Sequence, residues 1–130
     1  MKLYDRKDFI KLPKYTIYSR INQGMGELFD GLYSKTTSYE DMQVDWCEQD
    51  LIGECGFPED IVDGCDALRY QLNKRDTYQH FETDLECSGR DGMYEEKDQF
   101  VVWDENDITK LRDYLNKALE EKIKEKASMP

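Results

Sequence analysis

The chain has 130 residues, of which 36% are charged, with a net charge of −11. Aromatic residues make up 12%, too rich for a disordered chain, and the length suits a single domain, 1–130, with a small core built on Tyr, Phe and Trp. So acidic a chain disfavours direct binding to nucleic acid or to an anionic membrane surface, because both need clustered Lys and Arg.

The segment 5–12, DRKDFIKL, reads as a short helix burying Phe9 and Leu12, with Pro13 as its stop. YTIYSRI, 15–21, alternates and is rich in β-branched and aromatic residues, which predicts a strand. NQGMGE, 22–27, reads as a turn, and 28–39 as a strand kinked at Asp30-Gly31. In DMQVDW, 41–46, Met42, Val44 and Trp46 alternate with Asp41, Gln43 and Asp45; the pattern predicts a half-buried strand with Asp41 and Asp45 on its wet face. Pro58 and the acids that follow it suit a helix start, and Ile61, Cys65, Leu68 and Leu72 continue one helical face. Residues 78–85 read as a strand, and QFVVWD, 99–104, as a buried one. The last element is a helix over about 105–125, with an apolar stripe of Ile108, Leu111, Leu115, Ala118 and Leu119. Asp104, Asn106 and Asp107 offer caps, and 126–130 should fray. The expected fold class is α+β: a small, mostly antiparallel sheet packed against two main helices, with a short N-terminal helix.

No apolar stretch approaches the roughly 18 residues that a membrane span needs, and the opening MKLYDRKDF carries charges where a signal peptide would be apolar. A cytoplasmic protein is expected, with Cys47, Cys55, Cys65 and Cys87 as free thiols. The cysteines show no CxxC spacing and His80 is the single histidine, so a zinc site and histidine-based catalysis are both disfavoured. No phosphate loop, nucleophile elbow or metalloprotease motif is present, and the expectation is a protein that is not an enzyme and carries no cofactor.

Residues 84–95, DLECSGRDGMYE, imitate the oxygen spacing of an EF-hand, with Asp84, Glu86 and Ser88 at alternate places, Gly89 sixth and Glu95 twelfth. The strand-like QFVVW soon after argues against helix–loop–helix, and Asp91 stands where an apolar residue is usual. A tight connection between strands, without metal, is the reading carried forward.

The charge is uneven. Residues 1–20 are net +4, whereas Glu40 to Asp66 contain ten acids and no base. Such an array can imitate the periodic charge of a nucleic-acid backbone and dock into a basic groove. The candidate contact residues are Glu40, Asp41, Asp45, Glu48, Asp50 and Glu54, with Glu59, Asp60 and Asp63 behind them; the plain alternative is a solvated acidic face. Tyr15, Tyr18, Tyr33, Tyr39 and Tyr94 offer rigid contact area if exposed. A positive pocket for a small anionic ligand would draw on Lys2, Arg6, Lys7, Lys11, Lys14 and Arg20, with Arg69, Lys74 and Arg75 as further candidates.

The opening KLYDRKDFIKLPKYTIY, the DGLYSK step and the ending SGRDGMYEEKDQFVVWDENDITKLRDYL resemble small acidic accessory proteins of tailed bacteriophages. The resemblance covers both ends of the chain and not the middle, 40–75. It implies phage origin and a host-cytoplasm location, and no reaction. The leading expectation is thus a phage-encoded binding protein that inhibits or redirects a host nucleic-acid-handling or defence protein, its partner presenting a basic groove. The alternatives are a binder of a small signalling nucleotide and a structural or oligomeric accessory protein; a homodimer is compatible with the sequence.

Overall fold

The computed structural model describes residues 1–21, 29–52, 55–56, 82–83, 85–86, 88–91 and 98–129. In chain order these form β1 (Lys2–Asp5), α1 (Arg6–Phe9), β2 (Ile17–Ile21), β3 (Phe29–Lys35), β4 (Trp46–Asp50), β5 (Cys55–Gly56), β6 (Glu82–Thr83), β7 (Gly89–Asp91), β8 (Gln99–Val102) and α2 (Glu105–Ser128). The class is α+β. The expected turn at 22–27 and the helix carrying Ile61, Cys65, Leu68 and Leu72 lie outside the described residues, as does most of the strand expected at 78–85.

Six strands form one sheet in the order β1-β8-β2-β3-β4-β7, and every pairing is antiparallel. A second, two-stranded sheet joins β5 to β6. The central strands explain the burial: both Tyr18 and Ser19, neighbours on opposite faces of β2, are fully buried. On the Tyr18 face, Phe9, Ile10, Trp46 and Phe100 complete an aromatic core, with Tyr4, Leu12, Tyr33 and Val102 against it. Phe9 is its hub. Its ring stacks on Phe100 at 4.4 Å and meets Tyr18 and Trp46 edge-on at 4.7 and 4.9 Å. Edge-on and stacked pairs of this kind add about 0.5–1.5 kcal/mol each beyond area burial.

The expected N-terminal helix is thus present and buries Phe9. The chain beyond it is held by tight turns, Ile10 N–H to Arg6 O and Leu12 N–H to Phe9 O, each 3.0 Å. The strand expected from Tyr15 starts at Ile17 instead. Tyr15 sits at φ 71°, and Thr16 donates through N–H and Oγ1 to Pro13 O; this turn must close before the chain can enter the sheet. The expected kink is a β-bulge: Tyr18 and Arg20 pair with Tyr33 and Asp30, so β3 holds an extra residue there, and Gly31 takes φ 70°.

The strand expected at 41–46 is displaced. Asp41 and Met42 N–H both donate to Ser38 O at 3.1 Å, while Ser38 N–H and Oγ donate to Asp41 Oδ2. This reciprocal cap closes a turn where extended chain was expected, and β4 begins only at Trp46. Val44, expected inside, is 73% exposed; Asp45, expected on the wet face, is 4% exposed.

The buried strand expected over 99–104 forms but ends at Val102, with Phe100 alone of its residues buried, and the final helix stands as expected, running on to Ser128. Asp104 closes a capping box with Asp107: Asp107 N–H donates to Asp104 Oδ1 at 3.0 Å and Asp104 N–H to Asp107 Oδ2 at 3.2 Å. Among the described residues the expected packing of this helix on the sheet is not seen: no residue of α2 is buried, and Asp107, Thr109 and Leu111 are half-buried. Among the described residues no helix is long and apolar enough to cross a membrane.

Candidate anion-binding cleft

Three of the cations at the start of the chain converge. Arg6, Lys7 and Lys11, with Ile10 between them, line a cleft of about 460 Å³ whose other wall is Tyr39 and Gln43 from the turn after β3. Helical spacing explains one wall: Arg6 and Ile10, and Lys7 and Lys11, are pairs four residues apart and share a side of the helical turns. The Ser38–Asp41 cap explains the other, because closing that turn carries Tyr39 and Gln43 across to α1.

Arg6 is anchored at the base. Its Nη2 donates to Val44 O at 2.5 Å and its guanidinium lies 5.7 Å from the Trp46 ring, while its buried Nε makes no hydrogen bond among the described residues. The group is held in place yet keeps donor capacity. Lys7 and Lys11 are exposed and supply mobile positive charge. Their neighbour Lys14 lies 5.1 Å from the Tyr15 ring instead. Lys2 lies over Tyr4, and Arg20 is committed inside the domain, so these three do not line the cleft. Arg69, Lys74 and Arg75 lie outside the described residues.

Lys35 supports the cleft from below. Fully buried, its Nζ donates to the carbonyls of Phe9, Ile10 and Leu12 at 3.3, 3.0 and 2.8 Å at the end of the helical segment, where Phe9 O also accepts from Leu12 N–H. Burial lowers its pKa from 10.5 to about 8. The ammonium ties β3 to the segment that presents Lys7 and Lys11.

The acidic candidates divide. Glu40 and Asp41 are exposed on the turn beside the cleft, and the hydrogen bonds from Ser38, with a smaller effect of Lys14, hold the Asp41 carboxyl below its usual pKa. Asp50 is half-buried at the end of β4, and its Oδ1 accepts from Ile52 N–H at 2.9 Å. Asp45 is buried and accepts from its neighbour Trp46 N–H at 2.8 Å. Glu48 is 9% exposed and belongs to the core: Tyr18 O–H and Arg20 Nη2 donate to its two oxygens, and Trp46 Nε1 donates to Tyr18 Oη at 3.0 Å. Asp45 and Glu48 therefore correct the expected acidic surface. A strand start shifted past Asp45 turned the first inward, and the pairing of Glu48 with Arg20 makes the second an internal counter-ion. Glu54, Glu59, Asp60 and Asp63 lie outside the described residues.

The tyrosines divide too. Tyr18 is core and Tyr33 half-buried, whereas Tyr15 and Tyr39 are exposed; Tyr94 lies outside the described residues. The calcium-like spacing at 84–95 does not make a loop in its middle: Gly89, Arg90 and Asp91 are strand β7, paired with Glu48, Cys47 and Trp46. The tight connection expected there is corrected in the same way. Among the described residues no cluster of His, Cys, Asp and Glu could hold a metal ion.

Comparison with protein-family models, with curated proteins and with solved structures gave no match.

The positive side chains named from the sequence included all three that line the cleft, but Gln43 was assigned to a strand and Tyr39 only to a general contact surface. Their signal was the Ser-x-x-Asp cap at 38–41, a turn signature overlooked beside the alternating pattern that follows it.

Proposed function

We propose that this protein works by binding, and that its ligand site is the cleft between α1 and the 38–43 turn. The ligand class is a small anion with a planar group, for which a nucleotide is the simplest choice. The observation that carries this reading is the convergence of Arg6, Lys7 and Lys11 on one cleft in a chain of net charge −11. The cleft lies within the roughly 300–1,000 Å³ of small-molecule sites. Tyr39 offers a ring face and Gln43 an amide that can both donate and accept. The net negative charge does not forbid an anion: charges beyond about 8 Å are screened at physiological salt, so the cations in contact outweigh the rest. Differential scanning fluorimetry with mononucleotides, cyclic dinucleotides and inorganic phosphate tests it. A ligand that binds only the folded chain raises the melting temperature, and the Lys7→Ala/Lys11→Ala variant should lose that rise.

A second reading is a decoy for a partner with a basic groove, which the resemblance to acidic phage proteins supports in a host-directed form. The observation in its favour is the exposure of Glu40 and Asp41 side by side on the turn. The contact set drawn from the described residues is then Glu40, Asp41 and the half-buried Asp50, without Asp45 and Glu48. Charge reversal at Glu40 alone, which spares the Asp41 cap that holds Tyr39 and Gln43, should weaken salt-sensitive capture of a host protein on this reading and leave nucleotide binding intact on the first.

A further inference from the structure

The two sides of the cleft between α1 and the 38–43 turn are chemically unequal. The α1 side supplies three cations, Arg6, Lys7 and Lys11, and the buried Ile10. Asp5 and Asp8 neighbour those cations in sequence but do not line the cleft. The turn side supplies the Tyr39 ring and the Gln43 amide, both uncharged. Directly after Tyr39 the turn carries two exposed carboxylates, those of Glu40 and Asp41. Hydrogen bonds from Ser38, and to a lesser degree the charge of Lys14, hold the Asp41 carboxyl below its usual pKa, so it is an anion at neutral pH.

This asymmetry orients a ligand. Screening at physiological salt acts over about 8 Å, so the nearest charges govern each side. An anion on the α1 side is attracted by Lys7 and Lys11, and one on the turn side is repelled by Glu40 and Asp41. Arg6 is largely committed to the fold: its Nη2 donates to Val44 O at 2.5 Å, and the Trp46 ring lies 5.7 Å away. The same bond fixes the backbone next to Gln43. The uncharged end of a ligand is left with Ile10, Tyr39 and Gln43. An aliphatic side chain and a ring offer faces to a planar heterocycle, and an amide that donates and accepts offers partners to its edge.

We infer, on the reading of this cleft as the ligand site, that it selects a planar heterocycle bearing one terminal phosphate, as in a nucleoside monophosphate, with Gln43 and Glu40 determining the choice. Lys7 and Lys11 take the phosphate, and Gln43 meets the edge of the base. Glu40 turns away ligands that carry phosphate at both ends. A cyclic dinucleotide, with two phosphates on opposite sides of its macrocycle, brings one of them against the turn. Stacking of one base on an aromatic ring raises affinity about 10-fold over phosphate alone.

Dissociation constants from NMR titration of the full chain at about 50 mM salt, where surface charge is felt strongly, test the selection. The probes are the adenosine, guanosine, cytidine and uridine monophosphates, inorganic phosphate and cyclic di-adenosine monophosphate. The best monophosphate should bind at least ~10-fold tighter than inorganic phosphate and than the cyclic dinucleotide. Gln43→Leu should cut the advantage over phosphate several-fold while leaving phosphate binding unchanged, a split that a general fold defect would not give. Glu40→Gln should tighten the cyclic dinucleotide several-fold and leave the monophosphate unchanged. Both side chains are exposed, so both variants should keep the wild-type circular dichroism. Phosphate or the cyclic dinucleotide binding as tightly as every monophosphate overturns the selection and leaves the cleft standing as an anion site. Wild-type selectivity in Gln43→Leu and Glu40→Gln overturns the roles of these two residues. A wild-type chain that binds no probe overturns the cleft and its selection together.

Discussion

Lys35 and Glu48 are opposite charges taken out of water in neighbouring strands, and each is answered by the groups around it. The Lys35 ammonium is held by three carbonyls, and burial lowers its pKa to about 8. A lysine whose folded pKa lies below its unfolded 10.5 costs stability while both states are charged. As pH climbs from about 8 toward 10.5 the folded chain gives up its proton first, and stability rises. At 1.36 kcal/mol per pH unit the gain is on the order of 3 kcal/mol across that window. Urea unfolding at pH 7.5, 9 and 10 should show this upward contribution in the wild type and its loss in Lys35→Met. Equal pH slopes in the two proteins would refute the assignment. Glu48 differs in having both a cation and a phenol as donors. Glu48→Ala leaves Arg20 and the Tyr18 hydroxyl without it inside the domain, and removing one partner of a buried pair costs about 3–5 kcal/mol. Arg20 is about one-third exposed, so about 3 kcal/mol is expected, read as a shift of the urea midpoint at constant m-value.

At the scale of elements, the bulge in β3 and the start of α2 each depend on one residue. Gly31 combines φ 70° with a position where an added Cβ would lie 2.5 Å from the Tyr33 ring. Gly31→Ala therefore carries both the left-handed penalty of about 1–2 kcal/mol and a displacement of Tyr33 from its place beside Tyr18 and Arg20. Asp104→Ala removes half of a capping box, at about 1 kcal/mol, and should shorten α2 at its start as seen by amide exchange near Asp107. Elements whose signals were local were legible in the sequence: the helix at Arg6, the strand at Gln99, and the last helix with its Asp104 cap. The strand expected at 41–46 failed because two local signals competed there. Alternation pointed to extended chain, but Ser38 and Asp41 gave the backbone hydrogen bonds at once, and a short-range cap needs no partner strand. The failure at α2 was of another kind. A stripe states that an apolar face exists, and does not state what covers it.

At the scale of the molecule, the arrangement of charge decides what the chain can bind. The contrast between a basic start and an acidic middle was plain in the sequence, and so were the three cations of the cleft. What the sequence could not supply was which acids are withdrawn into the fold, because Asp45 and Glu48 differ from Glu40 and Asp41 only through pairings made across strands. The long acidic array thereby shrinks, among the described residues, to Glu40, Asp41 and Asp50, and the cations that face one space come to the fore. The most direct measurement is a heteronuclear NMR titration of the isotope-labelled chain with adenosine monophosphate, with cyclic dinucleotides and with inorganic phosphate. Saturable shifts are expected to gather on the amides of Arg6, Lys7, Lys11, Tyr39 and Gln43 for at least one of these anions, and to vanish in Lys7→Ala/Lys11→Ala. Shifts that are absent for every anion, or that gather on another surface, would contradict it.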